Sequence, residues 1–567
     1  MGPITAPMAS NRWFGLNHLH CRQKHSEPPT RECLKVKSAR TPPPYLMAGV
    51  LLISVVGTNA QEVPVVSGTS TTQASAAVRG GWQIEPNITV RETYSDNIAL
   101  TRKGSERSEL VSEISPGVSI KNKASHSDVE IDYSLNNLFY LRDRDRNTLN
   151  HQLRASGVFE LVDDLVFVDS RATIRQQAVS AFGPIGSNSS VNNNNQTIRS
   201  FSVSPYLRKK FGNTAVGEAR YAFSQQSSSA QNTGISNSTG NRFLLKLDSG
   251  TAFVDWGWGA EFLNDRISYE NASDSTFSSL TGNLRYRIFP KLFATGSFGY
   301  DKNDYVTTGE KPEGAFWTLG ADWRPLRRTS LTISAGRRYF GNTYALTFKH
   351  AARRVSWDIS YQQNLSTSRS QFSQPVGTYR QFAEDTIRSR TPGISEAALR
   401  NLVDAAAREY AATGRDPDAV QGVNFQTNTA FLEKKWQGLM TLDFPKSQLT
   451  LSAFGSVRDS ATTGTSILSA SGDFALSRVV KQSGVGSQWT YRLSPRNEAN
   501  FGLNLNSSRL VDIGRTDNSA ILNLGLARKL STAANGSIGY RYTRRNSNFD
   551  AIDYDENAIL GTLSVIF

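Results

Sequence analysis

Cysteine is scarce in this sequence, and its two cysteines, Cys21 and Cys33, both lie near the N-terminus. A disulfide framework or a cysteine-ligated metal site is therefore excluded for everything after residue 33. Methionine is also rare, with 4 residues in 567, and hydrophobic residues make up only 38% of the chain. No apolar run approaches the roughly 20 residues that a membrane-spanning helix requires, which excludes a helical membrane protein.

Aromatic residues and glycine are plentiful by contrast. Phe, Tyr and Trp together form 10% of the chain, and there are 43 glycines. A disordered chain would not carry so many aromatic residues, and the core of a soluble α/β enzyme needs more aliphatic bulk. The composition therefore argues against both a disordered chain and a soluble α/β enzyme.

A secretory leader is predicted over residues 1–60. The apolar stretch Tyr45–Gly57 follows Lys35, Lys37 and Arg40, and small residues end at Ala60. This order is typical of a signal peptide that is cleaved after Ala60. Residues 61–81 are then a short periplasmic segment, and residues 82–567 form the folded domain.

The net charge is +14 for the whole chain, and it falls to +9 once the seven basic and two acidic residues of the leader are removed. This charge is spread over a long chain and forms no basic stripe, so no nucleic-acid partner is expected.

Apolar and polar residues alternate with a period of two along most of the domain. One example is the alternation of Val129, Ile131, Tyr133 and Leu135 with Asp128, Glu130, Asp132 and Ser134. Alternating segments about ten residues long are typical of transmembrane β-strands, with apolar side chains toward lipid and polar side chains toward a wet interior.

The connections between these segments predict an outer-membrane β-barrel. Ten short turns, which would face the periplasm, alternate strictly with longer polar loops. Adding a first strand near Trp82–Glu92 and a last strand at Asn557–Phe567 gives an antiparallel barrel of about 22 strands, within a range of 20 to 24. Membrane lipids are then obligatory neighbours of the chain, and the cell outer membrane is its expected location.

The C-terminal strand ends in an aromatic residue. Ile559, Leu563, Val565 and Phe567 form one face of this strand, and Phe567 is the last residue. Such an ending resembles the signal that the barrel assembly machinery recognises, so these four residues are the predicted assembly signal.

Charged residues on the polar register are the candidate functional residues. Because lipid-facing arginine costs about 2–4 kcal/mol at the bilayer midplane, these side chains should point into the lumen. They could brace a wide barrel through ion pairs or form an arginine-rich wall that favours anions or sugars. The predicted lumen charges are Arg171, Arg175, Arg220, Arg285, Asp128, Glu130 and Asp132.

Three segments suggest a family. Trp82–Leu100, Gln448–Val457 with its LTLSAF run, and Leu493–Arg496 resemble the PEP-CTERM system-associated outer-membrane β-barrel family. That family is encoded near exosortase and exopolysaccharide genes, so the resemblance implies a role in envelope export, with polysaccharide or exosortase-system proteins as partners. It supplies no catalytic or binding residue.

One segment departs from the β pattern. Residues 395–413 are rich in alanine and place apolar residues at helical spacing. Ser395 is a potential N-cap at the start of this segment, and Gly414 follows its end. This helix lies in a very long outer loop, and it could be a lid over the barrel mouth or a surface that contacts a partner.

No catalytic, metal-binding or cofactor-binding residue is predicted. His126, His151 and His350 are far apart in sequence, and phosphate-binding and dinucleotide-binding motifs are absent. Three classes remain: a conduit or accessory for export of polysaccharide or related solutes, a structural or display barrel whose outer loops bind partners, and, least favoured, an outer-membrane hydrolase. A TonB-type transporter would need a large plug, for which residues 61–81 are too short.

Overall fold

The computed structural model describes residues 81–567, except for 185, 188, 193, 230–236, 308–310, 370–402, 404–426, 462–471 and 550–551. The predicted leader lies outside the described residues, as do residues 61–80 and the predicted 395–413 helix apart from Val403. Within the described part of the chain, the helical segments are too short to cross a bilayer.

Twenty-two β-strands form a single sheet. Their bounds are β1 Trp82–Ser95, β2 Glu109–Lys123, β3 Ser127–Tyr140, β4 Thr148–Val162, β5 Val166–Ala178, β6 Asn195–Phe211, β7 Ala215–Ser228, β8 Ser238–Ser249, β9 Trp256–Tyr269, β10 Ser275–Phe289, β11 Leu292–Asp304, β12 Glu313–Leu326, β13 Thr329–Arg338, β14 Gly341–Ala351, β15 Val355–Ser366, β16 Phe431–Asp443, β17 Ser447–Ser460, β18 Val479–Ser494, β19 Asn497–Leu510, β20 Arg515–Lys529, β21 Ala534–Ser547 and β22 Tyr554–Ile566. Two short 3-10 segments, Arg144–Arg146 and Gly472–Ala475, lie between strands.

The sheet closes on itself. Every strand pairs antiparallel with its neighbours in sequence, and β1 also pairs with β22, from Asn87 opposite Ile566 to Ser95 opposite Ala558. Closure leaves no open strand edge, which a membrane-spanning sheet requires because lipid cannot satisfy backbone hydrogen bonds. The predicted antiparallel barrel of about 22 strands is confirmed.

The ten predicted short turns are confirmed at one end of the barrel, where connections of two to six residues join the strands. At the other end, the prediction that every connection is a longer loop is wrong in four places. Five residues join β9 to β10, and six residues join β21 to β22. Two residues, Tyr339 and Phe340, join β13 to β14, and four residues join β19 to β20. Gly341 and Gly514 adopt φ values of 112° and 69° at these turns, a conformation that glycine adopts without steric strain.

The two faces of the strands differ in composition. All eight tryptophans of the barrel share the face that carries the exposed aromatic and aliphatic side chains, and six of them lie toward the end with the short turns. These six are Trp82, Trp256, Trp258, Trp323, Trp357 and Trp489. A tryptophan belt at this level is typical of the periplasmic membrane interface.

Glycines on the opposite face allow close backbone packing. A Cβ atom at Gly336 would lie 2.0 Å from the carbonyl oxygen of Trp317, and one at Gly299 would lie 2.1 Å from that of Leu280. Neither position has room for a larger residue, so both glycines set the local spacing of neighbouring strands.

Candidate functional site: inner wall and mouth of the barrel

Contacts across the ring identify the inner face of the strands. The loop after β5 carries Phe182 and Gly183, whose carbonyl oxygens accept hydrogen bonds from Arg515 of β20 and Arg545 of β21. The shorter path around the ring from β5 to β21 passes through β4, β3, β2, β1 and β22. The two arginines reach the loop across the barrel mouth, so their side chains point inward, and the tryptophan-bearing face is the outer face.

The predicted lumen charges all lie on this inner face. The register follows from strand to strand, because residues directly opposite each other share a face. Asp132 lies opposite Arg154, Ser156 lies opposite Arg171, and Gly257 lies opposite Arg285. The same register places these charges on the inner face: Asp128, Glu130, Asp132, Arg171, Arg175, Arg220 and Arg285.

Arg220 is braced on the inner wall. Its guanidinium donates hydrogen bonds to Asp169 at 2.6 Å and to Glu218 at 2.8 Å, and it lies 3.7 Å from the ring centroid of Tyr206. Phe167 stacks on the same tyrosine ring at 5.0 Å. This cluster joins β5, β6 and β7 by charge and by stacking, which fits the bracing interpretation.

The acidic residues of β3 take part in a second network. Arg154 lies 3.7 Å from Glu130 and 3.8 Å from Asp132, and Lys121 also lies 3.7 Å from Glu130. At these separations the pairs stabilise the wall more weakly than a direct charged hydrogen bond would.

Arg171 and Arg285 differ from Arg220 because both are exposed on the inner wall. Arg285 lies 3.6 Å from the ring centroid of Phe293, and neither arginine forms an ion pair with another described residue. Arg175 is half-buried and interacts with a neighbouring group. Two of the four predicted arginines therefore present an uncompensated positive charge to the interior.

The inner wall is exposed on one side and buried on the other. From β16 to β19 the inward-facing polar side chains are buried or half-buried; Thr450, Gln488 and Asn504 are each exposed by 2% or less. From β5 to β10 the inward-facing residues include exposed cationic side chains, which are Arg171, Arg208, Lys210, Lys246 and Arg285. The β5–β10 wall therefore forms part of the solvent-accessible inner surface.

Several buried ion pairs on the inner face were missed by the sequence analysis. They join adjacent strands at 2.8 to 2.9 Å and are Arg91–Glu113, Arg458–Glu433 and Arg541–Glu556. In the sequence, Arg91 is followed by Glu92 and Arg458 by Asp459, so neighbouring charges mask the alternation. Only the register shows which member of each doublet points inward.

The described residues of the β5–β6 loop, which spans 179–194, dock across the mouth through Asp473. This carboxylate accepts hydrogen bonds from Ser180 Oγ and from the backbone N–H of Ala181, the latter at 2.9 Å. Asp473 lies in the β17–β18 loop and is 2% exposed. Burial raises the pKa of Asp473, although the bond from Ser180 opposes the shift.

A second anchor of the same loop lies on β20 and β21. Asp517 accepts hydrogen bonds from Arg515 at 2.8 Å and from Arg545, and these two arginines hold the loop carbonyls of Phe182 and Gly183. Because Arg545 and Asp517 are each buried, their charges depend on each other for compensation.

An apolar cluster completes the docking. Ala181 and Phe182 of the loop pack with four buried side chains from other elements: Phe431, Phe474, Val480 and Leu510. Further along the loop, the backbone N–H of Val191 donates to Ile98 in the β1–β2 loop, and the hydroxyl of Tyr140 donates to the carbonyl oxygen of Ser189. The loop is therefore fixed over the mouth at both ends.

The histidines lie apart in the structure. His151 is on the outer face, where its Nδ1 lies 2.8 Å from the hydroxyl of Tyr133. His350 bonds Thr329, also at 2.8 Å, and His126 lies in a short turn within 3.7 Å of Glu160. Among the described residues, no group of three metal-ligating side chains comes together.

The predicted assembly signal lies at the outer face of the closing strand. Val565 is opposite Ile88, Leu563 is opposite Val90, and Ile559 is opposite Tyr94, all in register with β1. Phe567 follows the strand, and the residue is 75% exposed. These apolar side chains are directed toward the surrounding lipid.

Comparison with known proteins gives a likeness of fold. No family model and no curated protein matches the chain. The siderophore receptor PirA from Pseudomonas aeruginosa is 10% identical, with 86% of this chain and 81% of that chain covered and a TM-score of 0.42. The siderophore receptor PirA from Acinetobacter baumannii is also 10% identical, with coverages of 85% and 80% and a TM-score of 0.44. A loop-deletion mutant of OmpT, an outer-membrane protein of Vibrio cholerae, is 8% identical, with coverages of 86% and 99% and a TM-score of 0.30. The strand pairing of the chain itself shows the closed antiparallel β-barrel, and these low similarities support no conclusion about its role.

Proposed function

We propose that this barrel is an outer-membrane conduit for hydrated anionic solutes, and that its task is the export of polysaccharide or a related solute. The observation that carries the proposal is the exposed inner wall from β5 to β10, where Arg171 and Arg285 bear positive charge that no described carboxylate neutralises. A lipid-embedded barrel with a purely structural role has no need of such charge in its interior.

Arginine beside an aromatic ring suits an anionic sugar chain. A guanidinium binds carboxylate or phosphate, and an aromatic face packs against the apolar side of a sugar ring. Arg285 beside Phe293 supplies both groups on the inner wall. The resemblance to exopolysaccharide-associated barrels supports the same class of solute.

The β5–β6 loop supports a restricted conduit. An unobstructed barrel of this strand number would be a hazard, since barrels of 16 to 18 strands already leave an aqueous channel. The loop lies across part of the mouth and is held by Asp473 and Asp517. We propose that it narrows the path at the outer end.

Ion selectivity in planar bilayers tests the conduit. Expressed from residue 61, refolded and reconstituted, the protein should prefer chloride to potassium, and this preference should be stronger in 0.1 M than in 1 M KCl, because the Debye length falls from about 10 Å to about 3 Å. Arg171→Glu combined with Arg285→Glu should lower the anion preference several-fold. Arg102→Glu, at an exposed position of the β1–β2 loop, is the matched control and should leave it unchanged.

Two results would contradict the proposal. A folded protein with no conductance would exclude a conduit and favour the structural or display barrel, which the braced Arg220 cluster also fits. A conducting protein whose selectivity ignores the two arginines would exclude the charged wall as the selective element. For the export role, a host that lacks the gene should retain polysaccharide in the periplasm, and unchanged surface polysaccharide would overturn that role.

A further inference from the structure

A groove crosses the outer face of β6 to β10 near the periplasmic end. Its volume is about 440 Å³, and its lining includes Leu207, Phe211, Gly217, Ala219 and Ala260. The volume falls within the range of roughly 300–1,000 Å³ that small-molecule pockets occupy. The groove therefore has room for part of a small apolar molecule.

Small residues create the groove. Depressions in the outer face lie on either side of β8, at the small residues Gly217 and Ala219 of β7 and Ala260 of β9. Leu247 of β8 lies opposite both Gly217 and Ala260. Leu207 lies opposite Ala219 and forms one wall. A long, flexible apolar chain fits a channel bounded by leucine and floored by glycine and alanine, because it gains contact on several sides at once.

A lysine stands at the edge of this groove. Lys209 lies directly opposite Gly217, shares the outer face and is exposed. It forms no ion pair or side-chain hydrogen bond with another described residue, and β6 ends two residues later at Phe211. A lysine on the lipid-facing side of a barrel costs little free energy only near the membrane interface. The ammonium of Lys209 is therefore expected at the level of the lipid headgroups.

We infer that the groove binds one phospholipid of the periplasmic leaflet, with an acyl chain between β6 and β10 and the phosphate against Lys209. Apolar grooves with a basic group at headgroup level recognise anionic lipids in this way. The charge on Lys209 favours a phospholipid over a second copy of this chain as the occupant. If two copies packed through this face, their two Lys209 side chains would approach and repel each other. The site is independent of the conduit, since it lies on the opposite face of the wall.

Native mass spectrometry of the detergent-purified barrel tests the site, with phosphatidylglycerol as the probe and uncharged diacylglycerol as its phosphate-free counterpart. Lys209→Gln should weaken phosphatidylglycerol binding about fivefold and leave diacylglycerol binding unchanged. Ala219→Leu should abolish binding of both, because it fills the groove. Arg528→Gln is the matched control, since Arg528 is an exposed basic residue near the periplasmic end of β20.

Equal phosphatidylglycerol binding by the parent, Lys209→Gln and Arg528→Gln would overturn the inference. This comparison does not require Ala219→Leu to fold, because Lys209→Gln changes only an exposed side chain. A dimer that disappears in Ala219→Leu, with no lipid retained by the parent, would also overturn it and assign the groove to a second copy of the chain.

Discussion

Asp517→Ala should release the β5–β6 loop from the mouth. Asp517 is 4% exposed and accepts hydrogen bonds from Arg515, Arg545 and Ser547. Arg545 is 3% exposed and also donates to the carbonyl oxygen of Gly183 in the loop. Without the carboxylate, its guanidinium stays buried with its principal counter-charge gone. Breaking one side of a buried ion pair costs about 3–5 kcal/mol.

This cost falls on loop docking rather than on the barrel. The backbone ladder of β20 with β19 and β21 does not involve the Asp517 side chain, so the strands should still pair. Arg545 regains water when the loop leaves, and the undocked state therefore escapes most of the penalty. A shift of about 3 kcal/mol changes the ratio of docked to undocked loop by about 150-fold.

A single cysteine reports the change. Ala181 is 2% exposed in the docked loop, and the chain from residue 61 onward contains no cysteine, so Ala181→Cys gives one buried thiol. A membrane-impermeant maleimide should label this thiol slowly in the parent and much faster in Asp517→Ala. Conductance in planar bilayers should rise in the same variant. Asp517→Asn keeps one hydrogen-bond acceptor and should lie between the two.

The control is Asp274→Ala, which removes an exposed carboxylate from another outer loop, where it pairs with Arg266 at 3.0 Å. It should change neither labelling nor conductance. If Asp517→Ala leaves a folded barrel whose cysteine is labelled no faster than the parent's, the buried ion pair does not hold the loop and the reasoning is refuted.

Three further predictions concern assembly, packing and pH. Deleting Phe567 should reduce the fraction of heat-modifiable, folded barrel in the outer membrane, and undiminished folding would contradict its role as an assembly signal. Gly336→Ala should lower the free energy of unfolding by about 1–3 kcal/mol through overpacking, measured by urea titration in micelles, whereas Gly438→Ala should have little effect because a Cβ there meets its nearest neighbour at 3.9 Å. Because burial raises the pKa of Asp473, the docked loop binds this proton more tightly than the undocked loop. The contribution of Asp473 to docking should therefore be largest below the ordinary pKa of an aspartate and decrease as pH rises through the raised pKa. Cysteine labelling, normalised to an exposed cysteine, would contradict this if it fell as pH rises through that raised pKa.

The alternation of side chains determined most of the fold in advance. A strand repeats every two residues, and the opposing solvents on its two faces force apolar and polar side chains into separate registers. The pattern around Asp128, Glu130 and Asp132 is therefore readable without a partner strand, and the strand count follows once the short turns are located. The short length of the connection at Tyr339 and Phe340 was not predicted, because its polarity does not differ from that of the strands beside it.

Only the tertiary structure decided which interactions each charged side chain forms. Arg171 and Arg220 have the same signature in the sequence, yet Arg220 contacts Asp169 and Glu218 while Arg171 is exposed without an ion pair to any described residue. The bonds from Ser180 to Asp473 and from Arg545 to Gly183 join residues about 300 positions or more apart in the chain. Local periodicity predicts on which face of the sheet a side chain lies, because that depends only on its own strand. Which other side chain it meets depends on the closure of the ring and on the path of a loop across the mouth, and these are properties of the whole barrel.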